Sequence, residues 1–179
     1  MIVIAEVPGI TPDVVAFADR VADVGCTAVL PHLFGVPGEP MSGRNAAQVA
    51  AWCCVSREFA TWAAGRTSPV TEWLRALGRH ELSPCGGPGV GAVGMCMTSG
   101  FALAMMVDDS VLAPVLRQEL GDAFVAVEID SSPGNPHGIR KRAHSVLTED
   151  FVDEPGHPTR DALDRVLGFL QDSLLAPAT

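Results

Sequence analysis

Apolar residues recur in this chain with two different periods, and the switches between them mark its elements. "IVIAEV" (2–7) is a short β-branched run closed by Pro8-Gly9 and predicts a buried strand. Thr11-Pro12 then reads as a helix start, a capping hydroxyl followed by proline in the first turn. "DVVAFADRVADVG" carries apolar residues at helical spacing, with Gly25 where a helix ends. "CTAVLPHLF" predicts a second strand, and "GVPGEPMSGRN" (35–45) a loop without periodicity. "AAQVAAWCCVSREFATWAAG" predicts a helix, and Ser68-Pro69 open another that "VTEWLRALGRHEL" fills. "SPCGGPG" reads as a loop before the strand "VGAVGM". A helix comes next, from about Thr98 to Val107. Two further apolar strands are expected at 110–116 and 123–129, then a loop with His137 and His144, then the closing helix "PTRDALDRVLGFLQDSLL".

Strands alternating with helices imply an α/β fold, a mostly parallel sheet with helices on both faces. Ligands of such sheets sit beyond the carboxyl ends of the strands. Glu6, Cys96 and the two loop histidines all fall just past a predicted strand. One junction breaks the pattern. "RQELGDA" is all that separates strand 110–116 from strand 123–129, whereas a parallel crossover takes about a dozen residues or more.

Length and composition narrow the class. With 179 residues, 47% hydrophobic and 18% charged, the chain suits one globular domain over residues 1–179. A net charge of −9 argues against nucleic acid or an anionic membrane surface as partner. No apolar run reaches the roughly 18 residues of a membrane span, so no membrane partner is expected. The N-terminus lacks the basic start of a signal peptide, which makes a cytoplasmic location the expectation. Five cysteines, an odd number without a C-x-x-C pair, fit reduced thiols better than a disulfide framework or a zinc site.

The chemistry concentrates at "GVGAVGMCMTSGFALAMM" (89–106). A strand turning sharply into a helix, with a nucleophile at the apex and small residues around it, is a nucleophile elbow. Gly94, two before Cys96, removes a Cβ from the tight turn. The helix start behind the thiol favours negative charge, and the N–H of Met97 would point at an acyl oxyanion. The plainer alternative for Cys96 is a structural thiol at a strand end.

With these residues in place, the chain resembles the dienelactone hydrolase family of α/β-hydrolases. The resemblance rests on "IVIAEVPGITPDVVAFADRVADVGCTAVLPHLFG", on the elbow, and on "AHSVLTEDF" downstream, in the family's order. It implies hydrolysis of small esters or lactones through a thioester, without a cofactor. It makes Cys96 the nucleophile and His144 the general base. Glu6 becomes the carboxylate that helps generate the thiolate, and the N–H of Val7 the second oxyanion donor beside Met97. Plainer roles remain open for two of them: a strand-end charge turned to water for Glu6, and a solvated loop residue for His144. Arg44 and Arg57 are candidates to meet a substrate carboxylate. A metal set of His137, His144, Asp150, Asp153 and His157 matches no ligand spacing, so no metal is expected.

Three departures from the family stand out. No aspartate follows a strand in the required context. Asp108, Asp109, Asp122 and Asp130 fall elsewhere, so the triad acid is unassigned and coincides with the short junction. The family's first strands have no counterpart before Met1, which would leave sheet edges open to a second copy of the chain. Thr98 and Ser99 replace small glycines after the elbow, and Thr148 stands where dienelactone-specific members carry an arginine. Two other readings are therefore open: a shortened, non-catalytic member of the family, or an enzyme of the DJ-1 group, which also pairs a strand-end glutamate with an elbow cysteine.

Overall fold

β1 (Ile2–Ile4) is buried on both faces and pairs in parallel with β2 (Ala92–Gly94), Ile2 opposite Ala92, Val3 opposite Val93 and Ile4 opposite Gly94. The computed structural model describes residues 1–55, 68–86, 89–106, 127–140 and 145–175. Around this sheet lie five helices among the described residues: α1 (Pro12–Asp23), α2 (Gly43–Val55), α3 (Pro69–Cys85), α4 (Ser99–Met106) and α5 (Pro158–Leu174). The chain is therefore mixed α/β.

The alternation of side chains along β1 sorts these helices into two layers. Ile2 and Ile4 enter a cluster with Phe34, with Cys53 of α2, Leu74 of α3 and Phe101 of α4. Val3 and Ala5 enter the opposite cluster with Val14, Phe17 and Val21 of α1 and Leu163 and Leu170 of α5. Each fully buried Val, Ile or Phe contributes roughly 1.5–3 kcal/mol of transfer free energy. A three-residue strand anchors both layers at once.

The helix starts reflect local chemistry. Thr11 caps α1, its hydroxyl accepting the Val14 N–H at 3.3 Å, and Gly25 leaves the helix at φ +98°. Ser68 does the same for α3 through the Thr71 N–H at 3.2 Å. α2 begins earlier than its apolar spacing predicts. Ser42 and Asn45 exchange reciprocal bonds, Ser42 N–H to Asn45 Oδ1 at 2.9 Å and Asn45 N–H to Ser42 Oγ at 3.2 Å, which fold the end of the expected loop into a first turn. α3 runs on through Ser83, Pro84 and Cys85, where the sequence predicts a loop, and Gly86 at φ +64° ends it.

The strand expected over "CTAVLPHLF" contracts to one bridge. Val3 donates to the Val29 carbonyl at 2.9 Å and Val29 to that of Met1 at 2.8 Å. Pro31 has no N–H to extend the ladder, and just beyond it the His32 ring engages the Gly35 carbonyl at 2.9 Å. The strand expected at 110–116 and most of that at 123–129 lie outside the described residues, while 127–129 carry no regular structure.

Candidate active site

Because β1 and β2 are parallel, the segments that leave their carboxyl ends emerge on the same side of the sheet. Glu6 lies two residues past β1 and Cys96 two residues past β2. The structure brings these two sequence candidates to one edge.

Cys96 is exposed and takes φ +52°, the one non-glycine residue with positive φ among the described residues. Left-handed backbone costs an L-residue roughly 1–2 kcal/mol, so the surroundings must enforce it. Two contacts do. A Cβ on Gly94 would lie 2.6 Å from Ser99 Cα and closer still to the Thr98 carbonyl oxygen, so only glycine lets the strand pass this near the returning turn. Thr98, fully buried, then fastens the turn: its hydroxyl accepts the Met95 N–H at 2.9 Å and lies 2.9 Å from the Ile4 carbonyl and 2.8 Å from that of Met95. Its single proton serves one carbonyl at a time. Ser99 donates its hydroxyl to the Cys96 carbonyl at 2.7 Å. Cys96–Thr98 form a 3₁₀ turn that runs directly into α4.

Glu6 is fully buried, and its carboxylate reaches across the chain to the loop after residue 144. One oxygen accepts the Ser145 N–H at 2.9 Å, the other the Thr148 hydroxyl at 2.7 Å. Ser145 in turn accepts the Leu147 N–H on its hydroxyl at 3.2 Å and the Thr148 N–H on its carbonyl at 3.1 Å. The reading of Glu6 as a solvated strand-end charge is thereby corrected, since burying a carboxylate is tolerated only with donors of this kind. Beyond Glu6 the chain closes a tight turn, Gly9 N–H to the Glu6 carbonyl at 2.7 Å. Val7 in that turn and Met97 in the elbow pack against the same apolar cluster.

A cavity of about 450 Å³ opens beside the thiol. Cys96, residues 145–147, Val127, Ile129, and Ala162 and Val166 of α5 line it. This is the size of an ordinary small-molecule site. His144 itself lies outside the described residues, as do Arg57, Asp108, Asp109 and Asp122.

The remaining candidates are placed away from the thiol's cavity or are already engaged. Asp130 is exposed and accepts the Ser132 N–H at 2.9 Å; bonds from Ser132, the side chain's first, hold its carboxyl below the usual range. Asp153 pairs with Arg160 and, at 3.9 Å, with Arg20. His157, expected in a loop, caps α5, its ring nitrogen accepting the Thr159 N–H at 3.4 Å, and meets His137 edge-on at 5.1 Å. Among the described residues no three His, Cys, Asp or Glu side chains gather as metal ligands. Arg44 is exposed in the first turn of α2. No helix among the described residues is long and apolar enough to cross a membrane.

Sequence reasoning passed over Thr98 and Thr148, treating both as departures from a motif. Each also bonds a group far along the chain, Ile4 at 94 positions and Glu6 at 142, and no local signal marks those bonds. A scan of family models and searches of curated proteins and of solved structures find no match to this chain.

Proposed function

We propose that the chain is a hydrolase of small esters or lactones with Cys96 as nucleophile, built on an α/β-hydrolase-like sheet. The observation that carries this reading is the left-handed φ of +52° at Cys96, which projects the thiol from a strand–helix turn beside a 450 Å³ cavity. Backbone strain at a strand end persists only where the surroundings enforce it, and it clusters at reactive positions.

With His144 as the base, such a site would run a complete reaction. Cys96 Sγ, its proton passed to His144, attacks the carbonyl carbon of the ester as the thiolate, a C–S bond forms, and the charge moves to the carbonyl oxygen. The backbone N–H groups of Met97 and Val7 are the proposed donors to that oxyanion. The carbonyl reforms as the C–O bond to the alcohol breaks, and the alcohol leaves with a proton from His144. Water, deprotonated by the same histidine, attacks the thioester; the C–S bond breaks and the thiolate returns. An ordinary thiol is only a few per cent ionised at neutral pH but is intrinsically nucleophilic, so it tolerates a weak third member better than a serine would. The Glu6 bonds to Ser145 and Thr148 fix the segment just after His144, which supports a positioning role for Glu6.

Mixing the folded protein with 4-nitrophenyl acetate and following intact mass tests this directly. A transient acetyl adduct that is missing in Cys96→Ala is expected. A folded protein that gains no adduct would remove the hydrolase reading and favour a non-catalytic chain.

A further inference from the structure

The cavity beside Cys96 is lined mostly by apolar side chains. Val127 and Ile129 form one side, Ala162 and Val166 of α5 another, and residues 146 and 147, a valine and a leucine, the third. Ser145 is the polar side chain among the described lining residues besides the Cys96 thiol, and its hydroxyl accepts the Leu147 N–H. The carboxylate of Glu6 and the hydroxyl of Thr148 are paired with each other, and the Ser145 N–H is directed at the same carboxylate. Among the described residues that line it, none carries a positive charge.

From this, and resting on the hydrolase reading, we infer that the cavity is an acyl pocket for uncharged, apolar chains. After the alcohol leaves, the acyl group is the part of the substrate still bonded to Sγ. The space that the thiol itself lines is therefore where that group sits. A carboxylate at the far end of the chain would be stripped of water against valine, isoleucine and leucine, with no cation in return among the described lining residues. An alkyl chain gains at each carbon, about fourfold in rate per methylene that is fully buried in the transition state. The net charge of −9 opposes anionic substrates in addition.

Three 4-nitrophenyl esters decide the matter: the acetate, the hexanoate and the monoanionic hydrogen glutarate, whose chain is close in length to hexanoate but ends in a carboxylate. Acylation of Cys96 is read by intact mass and by nitrophenolate release. Hexanoate should exceed acetate in kcat/KM by at least about tenfold, given the per-methylene gain, and hydrogen glutarate should be the slowest. Val127, 37% exposed at the cavity wall, can be changed without opening the core. Val127→Arg should raise the rate on hydrogen glutarate and lower it on hexanoate. Val166→Phe, which fills the far side, should return the preference to acetate. Equal rates on hexanoate and hydrogen glutarate, or no gain over acetate, would overturn the acyl pocket while leaving Cys96 as nucleophile. Failure of all three esters to acylate a folded protein would overturn the hydrolase reading itself, and the pocket with it.

Discussion

Among the described residues other than glycine, Cys96 alone holds a left-handed backbone. Its backbone sits at φ +52° because Gly94 lets the turn close and Thr98 staples it to Ile4. If that conformation is enforced, removing Cβ should relieve it. Cys96→Gly is expected to be more stable than Cys96→Ala by about 1 kcal/mol, which combines relief of left-handed strain with the entropy of an added glycine. At 179 residues this corresponds to roughly 2–4 °C in melting temperature. An ordinary, unstrained cysteine would give the opposite order, because alanine outranks glycine wherever φ is negative. Calorimetric melting of the two variants therefore reports on the elbow without reference to any substrate.

Elements differ in how plainly their residues announce them. The starts of α1 and α3 were legible because cap and proline are adjacent in sequence, Thr11 with Pro12 and Ser68 with Pro69, and Gly25 marks the end of the first. The position of the elbow was legible for the same reason. The extent of the second strand was not, since a ladder depends on a partner far along the chain and Pro31 interrupts it. Least legible was the connection between β1 and the loop after residue 144, which joins Glu6 to Ser145 and Thr148 across 139 and 142 positions. That connection makes its own prediction. Thr148→Val keeps the shape but removes the donor to a buried carboxylate, and should cost roughly 1.5–3 kcal/mol in urea unfolding. Thr148→Ser, which retains the hydroxyl, should stay well within that loss. Equal destabilisation by both would mean that the methyl group, not the hydrogen bond, holds the loop against β1.

The molecule as a whole adds a field to the local action of the cavity. With a net charge of −9, the surface repels anions over a distance set by the Debye length, roughly 30 Å at 0.01 M salt and 10 Å at 0.1 M. An apolar wall, by contrast, rejects a carboxylate through lost hydration, which salt scarcely alters. The two effects therefore separate on an ionic-strength series. Between 0.01 M and 0.1 M salt, kcat/KM for 4-nitrophenyl hydrogen glutarate should rise a few-fold, and that for the neutral hexanoate should stay level. The part of the gap between them that persists at high salt belongs to Val127, Ile129, Ala162 and Val166. A gap that closed completely would assign all the discrimination to overall charge and none to the wall of the cavity. A gap indifferent to salt would show that the acidic surface lies too far from the mouth of the site to act on an entering substrate.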